Sequence, residues 1–158
     1  MPFNLLGFAS CFWPALADII QVMITIRPAA ARDLAGIMKV LDEADLRYSA
    51  ETLTSFTVAE LDSEIVGVVR LEEHPAFYFL TSLGVRPAQE KKGIASALLQ
   101  AVLKEKTKPA YLYTIIPGFF RPFGFVAATP PPGLPTKEIY GCDQCFPNQC
   151  TAMVRPAK

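Results

Sequence analysis

Alternating apolar and polar residues predict several strands along this chain. The alternation at residues 24–27, ended by Pro28, is typical of a short first strand. Two further alternating segments, residues 57–61 and 65–71, are separated by three polar residues, and this spacing predicts an antiparallel hairpin. Gly67 lies in the second of these segments and indicates a bulge or a close approach by another element.

Two segments carry the apolar spacing of helices. In the first, Asp33 suits the positive end of a helix, and the face predicted to pack on the core holds Leu34, Ile37, Met38 and Leu41. The second opens at Gly93, has a broad apolar face and is stopped by Pro109. Two more apolar segments, residues 77–85 and 111–116, read as strands, and another begins near residue 124. This order predicts an α/β domain of the α+β type, with a strand, a glycine loop and a helix at its centre.

Length and the apolar start of the chain define the domain organisation. The 158 residues suit one domain with one core. We interpret residues 1–22 as an apolar extension and residues 23–158 as the domain. Pro14 and Asp18 leave the extension too short and broken to span a bilayer. The chain has no Lys or Arg before Arg27, which argues against a secretory signal, so we expect a cytoplasmic protein.

The charge balance removes one class of partner. Fifteen basic and fifteen acidic side chains cancel, so no global field draws the chain to nucleic acid. We therefore expect no nucleic-acid partner.

The strand, loop and helix around Gly93 form the strongest chemical signal. A loop that opens directly into a helix presents free backbone N–H groups, which bind phosphates. The donors would come from Lys91, Lys92, Gly93, Ile94, Ala95 and Ser96. A glycine at a plain helix start would give the same spacing, so the spacing alone leaves both readings open.

The wider stretch at residues 83–99, LGVRPAQEKKGIASALL, resembles the acetyl-CoA motif of the GNAT acetyltransferases. Gly93 and Ala95 match its small positions, whereas Glu90 stands where the family has Gln or Arg. The likeness extends from the first strand to the FFRPFGF segment at residues 119–125. It implies a single GNAT-like domain, with a mixed, mostly antiparallel central sheet flanked by helices. It also implies acetyl-CoA as cosubstrate, its pantetheine running beside Leu83, Gly84 and Val85.

The family resemblance leaves the catalytic acid in question. Many members have a Tyr four residues before the glycine of the Gly-Phe pair, and here that position is Phe120. Tyr113 is the candidate acid, with Tyr111 beside it, although either would equally serve as a core tyrosine. Deprotonating a lysine-like amine at pH 7.4 costs roughly 4 kcal/mol, so we also expect a base. Glu60 is the candidate, followed by Glu72 and Glu73; the alternative is a solvated strand carboxylate. His74, before a proline, indicates a surface residue.

The C-terminal segment suggests the acceptor. Its cysteines, Cys142, Cys145 and Cys150, are one thiol short of a zinc site, so no metal is predicted. The segment resembles the tail of N-acetylglutamate synthases and similar amino-acid acetyltransferases. We therefore expect a small amine bearing a carboxylate, held by Arg70 or Arg121. The alternatives are a non-catalytic acyl-CoA-binding sensor or regulatory module and a metal-binding interaction protein. The sequence leaves open whether the protein forms a homodimer.

Overall fold

The computed structural model describes residues 24–46, 55–135 and 150–158. The predicted extension at residues 1–22, Cys142 and Cys145 lie outside these ranges. The strands are β1 (Ile24–Pro28), β2 (Phe56–Leu61), β3 (Glu64–Glu73), β4 (Tyr78–Val85), β5 (Ala110–Thr114), β6 (Val126–Ala127) and β7 (Thr151–Arg155). The α-helices are α1 (Leu34–Glu43), α2 (Ile94–Leu103) and α3 (Pro117–Phe120), and 3-10 turns lie at Ala31–Asp33, Pro87–Gln89 and Arg121–Phe123.

These strands form one mixed sheet in the order β1-β2-β3-β4-β5-β7-β6. Every neighbouring pair is antiparallel except β4 and β5, which are parallel. The predicted hairpin is confirmed as β2–β3. Its turn residues Asp62 and Ser63 both have positive φ, 49° and 65°, the twist that a two-residue hairpin turn requires. The prediction of a mostly antiparallel sheet flanked by helices is therefore confirmed.

The two longer helices pack on opposite faces of the sheet, because neighbouring strand residues point to opposite sides. On β3, Val68 joins the cluster under α1, whereas Val69 joins the cluster under α2. The predicted core face of α1 was partly wrong. Its buried residues are Ile37, Val40 and Leu41, while Leu34 and Met38 are 38% and 37% exposed because they lie at the margin of the buried face.

Gly67 lies where α2 comes closest to the sheet. A Cβ added to Gly67 would stand 2.9 Å from Leu98 Cδ1 and 3.0 Å from Ile94 Cγ2, so the predicted close approach is confirmed. The register between β2 and β3 also shifts beside it, between Ala59 and Glu60. The missing side chain therefore lets α2 lie flat on the strands that lead to the site.

The sheet divides between β4 and β5. The paired residues there are Tyr78 with Ala110 and Phe79 with Tyr111, at the start of both strands. Further along, β4 shifts its register against β3, and Ser82 adopts a positive φ of 52°. A bulge increases local twist and bends its strand. The result is a gap between two parallel strands, which continues into the loop before α2.

Candidate active site

A cavity of about 860 Å³ occupies the gap between β4 and β5, and we call it the cleft. The second half of β4, the end of β5, helix α3 and the start of α2 enclose it. Its lining includes Leu80, Leu83, Gly84, Val85, Lys91, Gly93, Ile94, Ala95, Ser96, Leu112, Tyr113, Thr114, Phe119 and Phe120. The structure thus brings together eight of the nine predicted cofactor residues. The exception is Lys92, whose Nζ donates to Gln89 Oε1 at 3.0 Å and which is not among the lining residues.

The loop before α2 has the form of an anion site. Gly93 is the N-cap with a left-handed φ of 79°, and Lys91 also has a positive φ of 60°. No side chain caps the helix. The hydrogen bond from Ala97 N–H to Gly93 O, at 3.0 Å, closes the first turn, so the preceding N–H groups point out of the helix end. Apart from its chain neighbours, nothing lies within 4 Å of the position that a Cβ would take on Gly93, which leaves a phosphate room to approach.

The β4 side of the cleft offers backbone groups of another kind. Val85 and Leu83 lie past the last residue of β4 that pairs with β5, so their edge faces the cleft and not a strand. Gly84 between them is a packing requirement, because an added Cβ would stand 2.6 Å from Leu46 Cδ1 and 3.2 Å from Ala44 Cβ. This edge is suited to bind an extended amide chain such as pantetheine.

Tyr113 and Phe120, the two cleft positions considered for a catalytic acid, differ in what they offer. Tyr113 lines the cleft, but its hydroxyl donates to Pro135 O at 3.1 Å and its ring lies edge-on to Phe79. Phe120 is buried between Phe119 and Phe125, with ring centroids 5.0 and 5.8 Å away, and brings no proton to the cleft. The second tyrosine, Tyr111, packs on Phe77 and is not among the lining residues.

Glu60 lies away from the cleft, in an ion-pair network around Arg27. The Arg27 guanidinium contacts Glu60 Oε2 at 2.6 Å and Asp33 Oδ2 at 2.7 Å. These hydrogen bonds hold the pKa of Arg27 above its usual value and lower the pKa of Asp33 to about 2. The three residues border a second cavity of about 630 Å³, together with Arg32, Lys39, Glu64 and Arg86. The structure therefore does not bring Glu60 to the other predicted site residues.

Arg70 lies on the α1 face of the sheet, behind the point where β4 and β5 part. It is opposite Thr81 of β4, and Glu72 is opposite Phe79. Arg70 NH1 contacts Glu72 Oε1 at 3.0 Å, and its Nε donates to Ser55 Oγ at 2.8 Å. Both charged side chains are only 18% exposed. The other predicted acceptor residue, Arg121, is exposed in the turn after α3, outside the lining of the cleft.

His74 lies beside this pair and not on an open surface. Its ring stacks on Phe77 at 4.6 Å, and its Nε2 lies 3.4 Å from Glu72 Oε2. The α1 face of β3 therefore carries Arg70 and Glu72, and His74, the residue directly after β3, continues this row of polar side chains. Sequence reasoning named each of them but not their alignment on one face.

Thr114 is a cleft residue that the sequence analysis missed. It is the last residue of β5 and only 7% exposed. A signal was present, because Ala110, Leu112 and Thr114 occupy the buried face of an alternating strand, and a polar residue there breaks the pattern. Cys150 also lines the cleft. The described ranges contain no group of three or more potential metal ligands, and none of the helices within them is long and apolar enough to cross a membrane.

A sequence model described as "Acetyltransferase (GNAT) domain" matches residues 52–127, which include β2 through β6 and the whole loop before α2. Known structures repeat the fold. A GNAT family acetyltransferase from Brucella melitensis, in complex with acetyl-CoA, is 25% identical, with a TM-score of 0.57 over 72% of this chain and 92% of that one. No curated protein matches the sequence significantly.

Two structures with lower sequence identity give higher TM-scores. N-acetylglutamate synthase from Neisseria gonorrhoeae, complexed with coenzyme A and N-acetyl-glutamate, is 16% identical, with a TM-score of 0.66. The match covers 85% of this chain and only 35% of the synthase, so the chain spans about a third of that protein. The ribosomal-protein-S18-alanine N-acetyltransferase from Escherichia coli is also 16% identical, with a TM-score of 0.66 over 86% and 95% of the two chains.

Proposed function

We propose that this chain, whose residues 52–127 match the GNAT acetyltransferase domain, is a GNAT enzyme that acetylates the amine of a small molecule that also bears a carboxylate. Acetyl-CoA is the cosubstrate. The observation that carries the proposal is the division of the sheet between β4 and β5, which leads into the uncapped start of α2.

Three sets of groups in the cleft would contact three different parts of the cosubstrate. The N–H groups at the start of α2 would bind the pyrophosphate, each such bond to a charged group contributing about 1.5–3 kcal/mol. The free edge of β4 at Leu83 and Val85 would hydrogen-bond the pantetheine. The apolar inner wall, formed by Leu80, Leu112 and Phe120, excludes water from the thioester. The reacting carbonyl would then lie where β4 and β5 part.

The acceptor would approach from the α1 face, where Arg70 and Glu72 lie opposite the same part of β4. Arg70 uses Nε and NH1 within the fold, so NH2 is the nitrogen available to an incoming carboxylate. Glu72, half-buried beside the dividing strands, is better placed than Glu60 to accept the amine proton, directly or through water. Arg121, exposed after α3, is the second candidate cation for the carboxylate.

Two variants separate the candidate bases. Glu72→Gln keeps the size of the side chain and removes its basicity, so kcat is expected to fall about 100-fold, within the range for general bases. The pH of the highest rate should also move upward, because the free amine then forms only by deprotonation in solution. Steady-state rates from pH 6 to 10 measure both effects. If Glu60→Gln lost activity while Glu72→Gln kept the wild-type rate, Glu60 and not Glu72 would be the base.

The acceptor class is tested by a thiol-release assay with acetyl-CoA. Glutamate, other free amino acids, amines without a carboxylate, polyamines and a peptide with an N-terminal alanine are compared at equal concentration. We expect carboxylate-bearing amines to give the highest kcat/KM, and Arg70→Met to raise their KM at least tenfold while leaving the acetyl-CoA KM within about twofold. A peptide or polyamine as best acceptor would contradict the carboxylate assignment, and a further arm with Arg121→Ala decides between the two arginines.

Phe120 supports a second candidate function, a non-catalytic acyl-CoA-binding module. This position lacks the proton that many GNAT enzymes supply there. A coenzyme A thiol with a pKa near 8.5 loses only about 1.5 kcal/mol as an unprotonated leaving group near neutral pH, so turnover does not require that acid. Acetyl-CoA binding without thiol release for any amine would favour the binding module.

A further inference from the structure

Two polar side chains are more than nine-tenths buried in the described part of the chain, Asp33 and Thr114. The fold accounts for Asp33, which accepts hydrogen bonds from Arg27 and from Ala30 N–H at 2.7–2.9 Å. Thr114 is different because it lies at the end of β5, against the cleft and between apolar neighbours. Burying a hydroxyl costs free energy unless its hydrogen bonds are made, so its partners matter.

The Thr114 hydroxyl accepts a hydrogen bond within the described fold but does not donate one. Its Oγ1 accepts from Ile116 N–H at 3.0 Å, and this bond fixes the side chain at the turn into α3. A hydroxyl also carries one proton to donate. Among the described residues no acceptor receives that proton, although the side chain is only 7% exposed. The fold thus holds an oriented donor at the wall of the cleft.

We propose that the Thr114 hydroxyl donates a hydrogen bond to the sulfur of acetyl-CoA as the thioester breaks. This inference rests on the proposed function, since it needs the thioester in the cleft. Phe120, on the same wall, has no proton to give, and Tyr113 uses its hydroxyl on Pro135 O. Thr114 is the buried hydroxyl of the cleft that remains available.

The step balances without Thr114 losing its proton. The amine nitrogen forms a bond to the acetyl carbon, the C–S bond breaks, and its electron pair moves to sulfur. An aliphatic alcohol is a far weaker acid than a thiol, so Thr114 shares its proton in a hydrogen bond and keeps it. The proton that finally converts the thiolate to coenzyme A comes from the amine, through water. Hydrogen bonds to charged groups are the stronger class, so the bond strengthens as charge develops on sulfur.

The test uses two variants and two ligands. Thr114→Val keeps the shape and removes the donor, whereas Thr114→Ser keeps the hydroxyl. Coenzyme A and desulfo-coenzyme A differ only at the sulfur, and their Kd values are measured by calorimetry between pH 7 and 9.5. We expect Thr114→Val to raise the Kd of coenzyme A at least tenfold at pH 9.5, where the thiolate is bound. The Kd of desulfo-coenzyme A should rise less than twofold. In Thr114→Ser the ratio of the Kd of coenzyme A to the Kd of desulfo-coenzyme A should return towards the wild-type value. The matched control is Thr151→Val on the neighbouring strand β7, opposite Thr114, which should not change the ratio.

Turnover gives a second readout. Thr114→Val should lower kcat about 10- to 100-fold, as expected for one hydrogen bond to a charged group. Adding Phe120→Tyr to this variant should recover part of the loss by supplying another donor. Equal weakening of both ligands in Thr114→Val, or unchanged kcat, would overturn the inference.

The inference remains decidable in two further cases. If Thr114→Val does not fold, wild-type protein alone suffices, since affinity for coenzyme A that fails to rise with pH relative to desulfo-coenzyme A contradicts a donor at the sulfur. If the wild type binds neither ligand, the proposed function fails as well. Binding of both ligands with no discrimination at the sulfur removes only the role of Thr114.

Discussion

Two cavities in the described fold differ in how their polar groups are paired. The cavity beside Arg27 is bordered by seven charged side chains, and its central cation is already bound by Asp33 and Glu60. The cleft between β4 and β5 has few charges, but its backbone donors at the start of α2 and the proton of Thr114 have no partner in the described fold. Judged by charge alone, the first cavity would be the candidate ligand site. Judged by unpaired hydrogen-bond donors, the candidate is the cleft.

The difference follows from what each region does for the fold. Arg27 joins β1, β2 and the turn before α1, so its bonds hold elements together. The cleft exists because β4 and β5 stop pairing, so the edge of β4 there is not used to hold the sheet together. We expect substitutions in the first cavity to change stability and substitutions in the cleft to change binding.

The largest effect should come from Gly93→Val. A β-branched residue is strained at a φ of 79°, and its side chain occupies the space through which phosphate approaches. We expect the Kd for acetyl-CoA to rise about 100-fold, from the loss of one or two charge-assisted bonds. Gly133→Val is the matched control, because Gly133 has a φ of 86° and open space but lies outside the cleft. It should lose similar stability and bind normally; weakened binding there would assign the effect to strain.

Next in size is Arg27→Met, which removes the partner of a buried carboxylate. Taking one member from a buried pair costs about 3–5 kcal/mol, and the partial exposure of Arg27 reduces this to about 2–3 kcal/mol. Urea unfolding should show that loss, while the acetyl-CoA Kd stays within twofold. A large change in Kd with normal stability would show that the two cavities are coupled.

A pH effect of about 2 kcal/mol should accompany the low pKa of Asp33. Folding lowers this pKa from its ordinary 3.8 to about 2, because Arg27 binds the carboxylate. The stabilisation is therefore fully present above pH 3.8 and is lost as the pH falls through about 2. Unfolding free energies of wild type and Asp33→Asn, measured from pH 6 down to 2, should converge in that window. Parallel curves would contradict the assignment.

The smallest effect is expected for Glu60→Gln. The side chain keeps an oxygen for Arg27 but loses its charge, so stability should fall by no more than about 1 kcal/mol at this partly exposed position. With Glu72 as the base, kcat should stay within about threefold of wild type over pH 6 to 10. A loss of 100-fold would break the comparison, because it would place catalysis at the ion-pair network.

Local patterns were enough to predict much of the fold. The alternation in residues 57–71 predicted a hairpin, and the absence of a side chain at Gly67 predicted a close approach. The α1 face was harder, because Leu34 and Met38 are as apolar as Ile37 and Leu41. Only the position of the sheet decides which of them is buried.

The strand, loop and helix around Gly93 were predictable because they are contiguous in sequence, from Tyr78 to Leu103. The catalytic and acceptor residues depend on long-range register. In the sequence, Glu60 lies in a predicted strand and Glu72 directly follows one. Only pairing with β1 brings Glu60 to Arg27, and only pairing with β4 brings Glu72 beside Phe79. The buried hydroxyl of Thr114 likewise became visible once the partner of each group was known.

The short pairing of β4 with β5 has a consequence for local unfolding. Two pairs of residues join the β1–β4 half of the sheet to the half formed by β5, β7 and β6. An extended ligand seated along the β4 edge, as proposed for the pantetheine, would take the place of the missing strand contacts. Amide hydrogens on both sides of this seam should then exchange more slowly together when acetyl-CoA is bound, and those of β1 much less. In that sense the cosubstrate would complete the sheet.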